Sequence, residues 1–82
     1  MIPADVRSAV LRALGSVAPE ADLTRLDPGR PIRDQLDIDS MDFMNFLLEL
    51  DRDLHVDVPE TDYARVATLD QCVAYLSARL ES

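Results

Sequence analysis

Residues 36–54 read LDIDSMDFMNFLLELDRDL, and this segment predicts the central helix of the protein. Asp39 is a preferred N-cap residue, because its carboxylate can accept hydrogen bonds from the free backbone N–H groups of a first helical turn. Ile38 and Phe43 occupy the two positions of a hydrophobic staple, which fixes the angle at which the preceding loop meets the helix. The pattern therefore predicts a helix over Ser40–Leu54. Its apolar face is wider than a surface helix requires, so the helix is either central or partly reserved for a partner.

Apolar residues at helical spacing predict three further helices. The first spans Ala4–Leu14, and Gly15 suits the position just after its last turn. The third is short and spans about Pro59–Val66. Its start is placed at Pro59 because proline is favoured at the first position of a helix. The fourth spans about Leu69–Leu80, with Thr68 as its N-cap.

The long connection Gly15–Ile38 contains prolines that exclude a single helix, but its recurring apolar residues predict that it is held against a core. Short helical turns are expected near Ala21–Leu26 and Asp34–Leu36. No segment alternates as a strand would. The predicted fold is therefore all-α, a four-helix bundle with a short third helix and a long loop between the first two helices. The predicted core consists of Val10, Leu14, Met44, Leu47, Leu50, Val66, Leu69, Val73 and Leu76.

The composition predicts a single domain over residues 1–82 and limits its partners. The net charge is −8, and all eight positive charges are arginines. An acidic surface repels nucleic acid and anionic lipid and attracts basic patches, although the same charges also keep a small protein soluble. No apolar run could span a bilayer, and the beginning of the chain has no secretion signal. We therefore expect a cytoplasmic monomer that binds no nucleic acid and does not insert into membranes.

Ser40 is the candidate for chemistry, because its hydroxyl stands at a helix start among carboxylates. Taken alone, Asp39-Ser40 is well explained as a helix start and nothing more. A serine is a weak nucleophile without an adjacent base, and the single histidine, His55, lies roughly 22 Å away along the helix axis. We therefore expect Ser40 to be a substrate of another enzyme rather than a catalytic residue. A hydrolase that uses Ser40 is the weakest of the alternatives.

No metal site is expected. A calcium loop that began at Asp37 would have Asp42 in place of the required glycine and Leu48 in place of the final acidic ligand. The single cysteine, Cys72, excludes an internal disulfide and an all-cysteine metal site.

The segment Leu36–Asp42 resembles the phosphopantetheine attachment site of acyl carrier proteins, in which Asp-Ser-Leu or a close variant opens the second helix. The resemblance extends over nearly the whole chain and includes Leu48–Leu50, Asp53–Leu54, Val58–Glu60, Thr68–Leu69 and Tyr75–Leu76. It implies that Ser40 is the attachment point of 4′-phosphopantetheine, which a phosphopantetheinyl transferase moves from coenzyme A with Mg²⁺ bound at the transferase. The thiol of this arm would then carry acyl groups as thioesters between acyl-loading and acyl-processing enzymes.

Residues around the second helix form a candidate docking surface. The resemblance implies that its acidic residues meet basic patches on partner enzymes, whereas by composition alone they are equally a solvated face. The candidate docking residues are Asp39, Met41, Asp42 and Glu49. Such contacts at the edge of an interface affect the association rate more than the affinity.

The chain departs at four positions from the better-known fatty-acid carriers. Asn45 and Arg52 stand where those proteins usually have glutamates, Asp37 replaces a common glycine, and Met41 replaces the usual leucine. The implied pathways are fatty-acid, specialised lipid or polyketide-type biosynthesis, with an aminoacyl or peptidyl carrier as an alternative. An unmodified, degenerate carrier-like module that only binds other proteins is a further alternative.

An acyl chain bound to the arm could lie between the second, third and fourth helices. The candidate lining residues face inward and include small or flexible side chains: Met44, Leu50, Val66 and Cys72. Phe43 and Tyr63 would shorten such a pocket.

Overall fold

The computed structural model describes residues 2–81, and within them the regular structure is helical. The four α-helices are α1 (Pro3–Val17), α2 (Ile32–Leu36), α3 (Ser40–Leu54) and α4 (Leu69–Glu81), and the two 3-10 helices are Leu23–Arg25 and Glu60–Val66. Helix α1 packs against both α3 and α4, and the second 3-10 helix packs against α4. This arrangement confirms the predicted all-α bundle with a short third helix and a long loop before α3. None of the helices within residues 2–81 has both the length and the apolar character needed to cross a bilayer.

Helix α1 continues one turn beyond its predicted end. Gly15 lies inside the helix, and the prediction that it would terminate α1 is wrong. The helix ends before Ala18, whose backbone N–H donates to the carbonyl of Leu14 at 2.8 Å. Ala18 precedes Pro19, and a residue before proline is disfavoured in the helical conformation. The proline, rather than the glycine, therefore sets the end of α1.

Helix α3 begins and ends as its sequence predicts. The backbone N–H of Asp42 donates to Asp39 Oδ1 at 2.8 Å, and the Asp42 carboxylate accepts the Asp39 N–H at 3.5 Å, which completes a capping box. Ile38 and Phe43 are both buried, as a hydrophobic staple requires. At the other end His55 adopts a left-handed conformation with a φ of 58°.

The two helices after α3 lie close to their predicted positions and pack against each other. The second 3-10 helix lies where the short third helix was predicted, but Pro59 is its N-cap rather than its first residue. Helix α4 begins with the predicted cap, since the Gln71 N–H donates to Thr68 Oγ1 at 3.1 Å. The Tyr75 hydroxyl of α4 donates to Asp62 Oδ2 at 2.6 Å and thereby fastens the 3-10 helix to α4.

The loop before α3 is held in place by one amide side chain. Gln35 Nε2 donates to the carbonyl oxygens of Asp27 and Arg30 at 2.9 and 3.0 Å, and Gln35 Oε1 accepts the Asp27 N–H at 2.7 Å. The Ile32 N–H donates to the carbonyl of Ala67 at 2.8 Å, which ties α2 to the segment before α4. The helical turns expected near Ala21–Leu26 and Asp34–Leu36 are present as the first 3-10 helix and α2. The start of α3 is therefore anchored on both sides.

The predicted core is correct except at two positions. Seven of its members are buried: Val10, Leu14, Leu47, Leu50, Val66, Leu69 and Leu76. Val73 is only partly buried, and Met44 is 50% exposed, so the prediction that Met44 belongs to the core is wrong. Because α3 is apolar on more than one face, periodicity alone does not decide which face turns inward.

Candidate functional site

Ser40 is the first residue of α3, and its side chain is exposed. Serine in this position commonly serves as a helix cap, but here Asp39 is the N-cap and its carboxylate accepts the hydrogen bond from Asp42. The Ser40 hydroxyl is therefore not required to begin the helix. The burial of Ile38 and Phe43 on either side fixes the backbone that presents it.

Two surface cavities flank the segment that carries Ser40. The first has a volume of about 550 Å³ and is lined by the end of α1, the loop after it, Asp37, Ile38 and Asp42. The second has a volume of about 500 Å³ and is lined by Ile38, Phe43 and Tyr63, with Arg33 and Asp34 on its rim. Ile38 lines both cavities, so the start of α3 forms a ridge between them. We call the second one the outer cavity.

The chain turns sharply just before this ridge. Asp37 follows α2 and has a φ of 52°, in the left-handed region that few residues other than glycine adopt. Aspartate tolerates this conformation better than most residues, because its short side chain can form local hydrogen bonds. This tolerance is consistent with an aspartate at the position where the carriers that the sequence resembles commonly have a glycine.

Among the described residues, the carboxylates of Asp39 and Asp42 beside Ser40 are engaged in the capping box, and the histidine lies far away. His55 caps the opposite end of α3 and is exposed, roughly 22 Å from Ser40 along the helix axis. Within residues 2–81 no group of three or more histidine, cysteine, aspartate or glutamate side chains is placed to hold a metal ion. What the site offers is an accessible hydroxyl on a rigid support.

The family model described as "Phosphopantetheine attachment site" matches residues 4–76. The chain belongs to this family. A similar carrier is the protein named "Acyl carrier protein" from Exiguobacterium sp., which is 27% identical over 76 residues, covering 93% of this chain and 90% of that protein. Proteins of this carrier family are generally not enzymes.

Three of the carrier's predicted docking residues lie next to Ser40, and the fourth, Glu49, lies roughly 13.5 Å further along α3. Their charges are not equally available. Asp39 and Asp42 are engaged with each other's backbone in the capping box. Glu49 is half-buried and accepts a hydrogen bond from Arg52 at 3.3 Å. Met41 is 71% exposed, directly after Ser40.

Sequence reasoning missed two further residues on the exposed face of this carrier. Met44 is 50% exposed and Leu48 is 55% exposed, and with Met41 they follow the helical spacing of positions i, i+3 and i+7. We call these three residues the outer stripe. The excessive width of the apolar face of α3 was the signal that could have located them. A contiguous exposed apolar patch is typical of an interaction site.

The predicted acyl-pocket residues of the carrier divide into two groups. Leu50, Val66 and Cys72 are fully buried, whereas Met44 faces outward with the outer stripe. Neither of the two cavities beside Ser40 is lined by any of these four residues. Burial raises the pKa of the Cys72 thiol to about 12, so Cys72 is an uncharged, apolar filler at neutral pH.

Proposed function

We propose that the chain is an acyl carrier protein that bears 4′-phosphopantetheine on Ser40. When bound, this group supplies a thiol that holds acyl groups as thioesters while partner enzymes of fatty-acid, specialised lipid or polyketide-type biosynthesis act on them. The observation that carries the proposal is the exposed Ser40 hydroxyl at the start of α3, freed from capping by Asp39, in a chain of the phosphopantetheine attachment-site family.

The start of α3 suits the attachment of a phosphate group. The positive end of a helix dipole favours an anion beside the first turn, and Ser40 is the first residue of that turn. The residues present therefore fit a phosphodiester on Ser40 Oγ. In the transfer, the bond from Ser40 Oγ to phosphorus forms as the pyrophosphate P–O bond of coenzyme A breaks, and 3′,5′-ADP leaves. The hydroxyl proton passes to a base of the transferase, since the Asp39 and Asp42 carboxylates beside Ser40 are engaged in the capping box.

The outer stripe and the carboxylates beside it support docking of the partners. An apolar centre with charges at its edge is the usual composition of a protein interface. We propose that the transferase and the acyl-processing enzymes place apolar side chains on Met41, Met44 and Leu48. Their basic patches meet Asp39, Asp42 and Glu49. A net charge of −8 favours fast encounters with such basic surfaces, and we expect the carrier to act as a cytoplasmic monomer.

Intact-mass measurement after enzymatic modification tests the proposal. The apo protein is incubated with coenzyme A, Mg²⁺ and a broad-specificity phosphopantetheinyl transferase. The wild type and the control variant Ser16→Ala, which removes an exposed serine of α1, should each gain the mass of one phosphopantetheine group. The variant Ser40→Ala should gain nothing. An unchanged wild-type mass would overturn the proposal and favour an unmodified protein-binding module, and a modified Ser40→Ala variant would place the site elsewhere.

A further inference from the structure

Phe43 is the first buried side chain beyond Ser40 on the inner face of α3. It follows Ser40 by three residues, roughly 4.5 Å along the helix axis, and only 6% of it is exposed. Leu50, a candidate lining residue of the bundle interior, lies roughly 15 Å from Ser40 along the same axis. A chain that starts at Ser40 and follows α3 inward therefore meets the Phe43 ring before it reaches Leu50.

The Phe43 ring is held by neighbours on several sides. Its centroid lies 6.0 Å from that of Tyr63 in an edge-to-face arrangement with an interplanar angle of 74°. It also lies 5.6 Å from the Phe46 ring, and the Arg33 guanidinium stands 6.0 Å from its centroid. Aromatic rings attract each other at such distances and angles, and a cation over a ring face adds to this attraction. Tyr63 belongs to the second 3-10 helix, so the pair of rings joins that helix to α3. We call Phe43 and Tyr63 the aromatic gate.

Behind the aromatic gate the interior is filled. Phe46, Leu50, Val66 and Cys72 have no exposed surface. Protein interiors are packed as densely as organic crystals, so an acyl chain that entered here would have to displace these side chains. In front of the gate there is room, because Phe43 and Tyr63 form one side of the outer cavity, which also includes Ile38, two residues before Ser40.

We propose that the aromatic gate keeps the cargo out of the bundle, so that this carrier takes short acyl groups that remain in the outer cavity. The inference rests on attachment of the arm to Ser40. The apolar walls of the outer cavity suit a short hydrocarbon, and the exposed Arg33 and Asp34 on its rim suit a polar end. A longer chain gains no protected surface, since the gate separates it from Leu50 and Val66.

A chain-length series tests this proposal. A transferase loads the carrier from acyl-coenzyme A donors with acetyl, butanoyl, hexanoyl, octanoyl and decanoyl groups, and the intact mass of each sample confirms loading. In the wild type we expect a Tm that rises only while the acyl group fills the outer cavity and does not rise from hexanoyl to decanoyl. In Tyr63→Ala the path to the interior is opened, and the Tm should rise further from hexanoyl to decanoyl, by about 4 °C or more. Tyr63→Phe, which keeps the ring, should behave as the wild type does.

The variant Phe43→Leu removes the other ring of the aromatic gate and should open the same path. NMR provides a second measurement. In the wild type the methyl resonances of Leu50 and Val66 should be the same for every cargo, whereas in the opened variants they should shift with chain length. A wild-type Tm that keeps rising from hexanoyl to decanoyl would overturn the proposal. So would a Tm that stays constant from hexanoyl to decanoyl in both opened variants, or a rise in Tyr63→Phe equal to that in Tyr63→Ala. A failure of attachment to Ser40 is recognised separately, because the masses would then show no loading.

Discussion

Helix α3 has two apolar faces, of which one is buried and the other is exposed. One face is buried against α1 and the rest of the bundle and consists of Phe43, Phe46, Leu47, Leu50 and Leu54. The other is the outer stripe of Met41, Met44 and Leu48, which is exposed although its residues are equally apolar. Hydrophobic surface that a protein leaves uncovered does not stabilise its fold, so the outer stripe is better explained by binding than by folding. The same helix thus builds the bundle with one face, and we propose that its other face is a docking surface.

Truncating one leucine on each face should separate the two roles. Leu50→Ala removes a fully buried side chain and leaves a cavity, so the free energy of unfolding should fall by about 2–5 kcal/mol. Leu48→Ala, the matched change on the outer stripe, should alter it by no more than about 0.5 kcal/mol and should instead raise the transferase KM for this carrier severalfold. Urea unfolding and transferase kinetics measure the two effects. Equal losses of stability in the two variants would show that Leu48 is part of the fold.

The stability of the buried core should also depend on pH in the alkaline range, through the thiol of Cys72. Its folded-state pKa, about 12, is higher than the ordinary value of 9.0, so the folded protein holds the thiol proton more tightly than the unfolded chain does. The protonated thiol therefore makes its full contribution to the free energy of unfolding below about pH 9. Between about pH 9 and about pH 12 this contribution falls by about 1.4 kcal/mol for each pH unit.

Denaturation at several pH values above about 9 checks the role of Cys72 against the variant Cys72→Ala. The Tyr75 phenol, whose pKa is raised by burial and by its hydrogen bond to Asp62, is present in both proteins, so the difference between their slopes isolates the thiol. The wild type should lose stability more steeply than the variant. Parallel slopes would show that Cys72 is not sealed from solvent.

Substitutions of Asp39 and Ser40, which are adjacent at the start of α3, should separate the residue that stabilises the helix from the residue that is modified. Asp39→Ala removes the N-cap and should lower the free energy of unfolding by about 1 kcal/mol. Ser40→Ala should change it by no more than about 0.5 kcal/mol while it abolishes modification. Thermal unfolding of both variants tests this, and a larger loss in Ser40→Ala would identify Ser40 as the cap.

His55, at the end of α3, belongs to neither face. Its replacement should cause only a small change in the free energy of unfolding. His55 ends the helix with a φ of 58°, a conformation that is unfavourable for a residue with a Cβ atom. His55→Gly should therefore stabilise the protein by about 1 kcal/mol or less, because the added freedom of the unfolded chain opposes the relief of strain. His55→Ala, which keeps the Cβ atom, should give no gain in the same measurement.

Local signals predicted the positions of most elements and of the candidate site. The caps at Asp39 and Thr68 and the staple at Ile38 and Phe43 depend on neighbours within one helical turn, and all three agree with the structure. The predicted end of α1 at Leu14 is wrong, because Gly15 only permits a helix end whereas Pro19 disfavours continuation of the helix.

The features that sequence reasoning missed depend on contacts between distant segments. The outward orientation of Met44 follows from how α3 rotates against α1 and α4, which its own periodicity does not specify. Gln35 holds the loop through carbonyl groups as far away as Asp27. The sequence indicates Phe43 and Tyr63 as residues that would shorten a pocket, but not their edge-to-face packing across twenty positions of the chain. None of these contacts leaves a local sequence signature.

The burial of Cys72 has a consequence for the fidelity of a carrier. The attacking species in thioester exchange and in disulfide formation is the thiolate, and a cysteine that is inaccessible and protonated provides none. If the carrier is loaded through Ser40 as proposed, the acyl group would have no thiol acceptor on the polypeptide, and the thiol of the arm would have no internal partner for a disulfide. Burial of one sulfur atom would thus protect the carrier from transfer of its cargo to Cys72 and from internal oxidation.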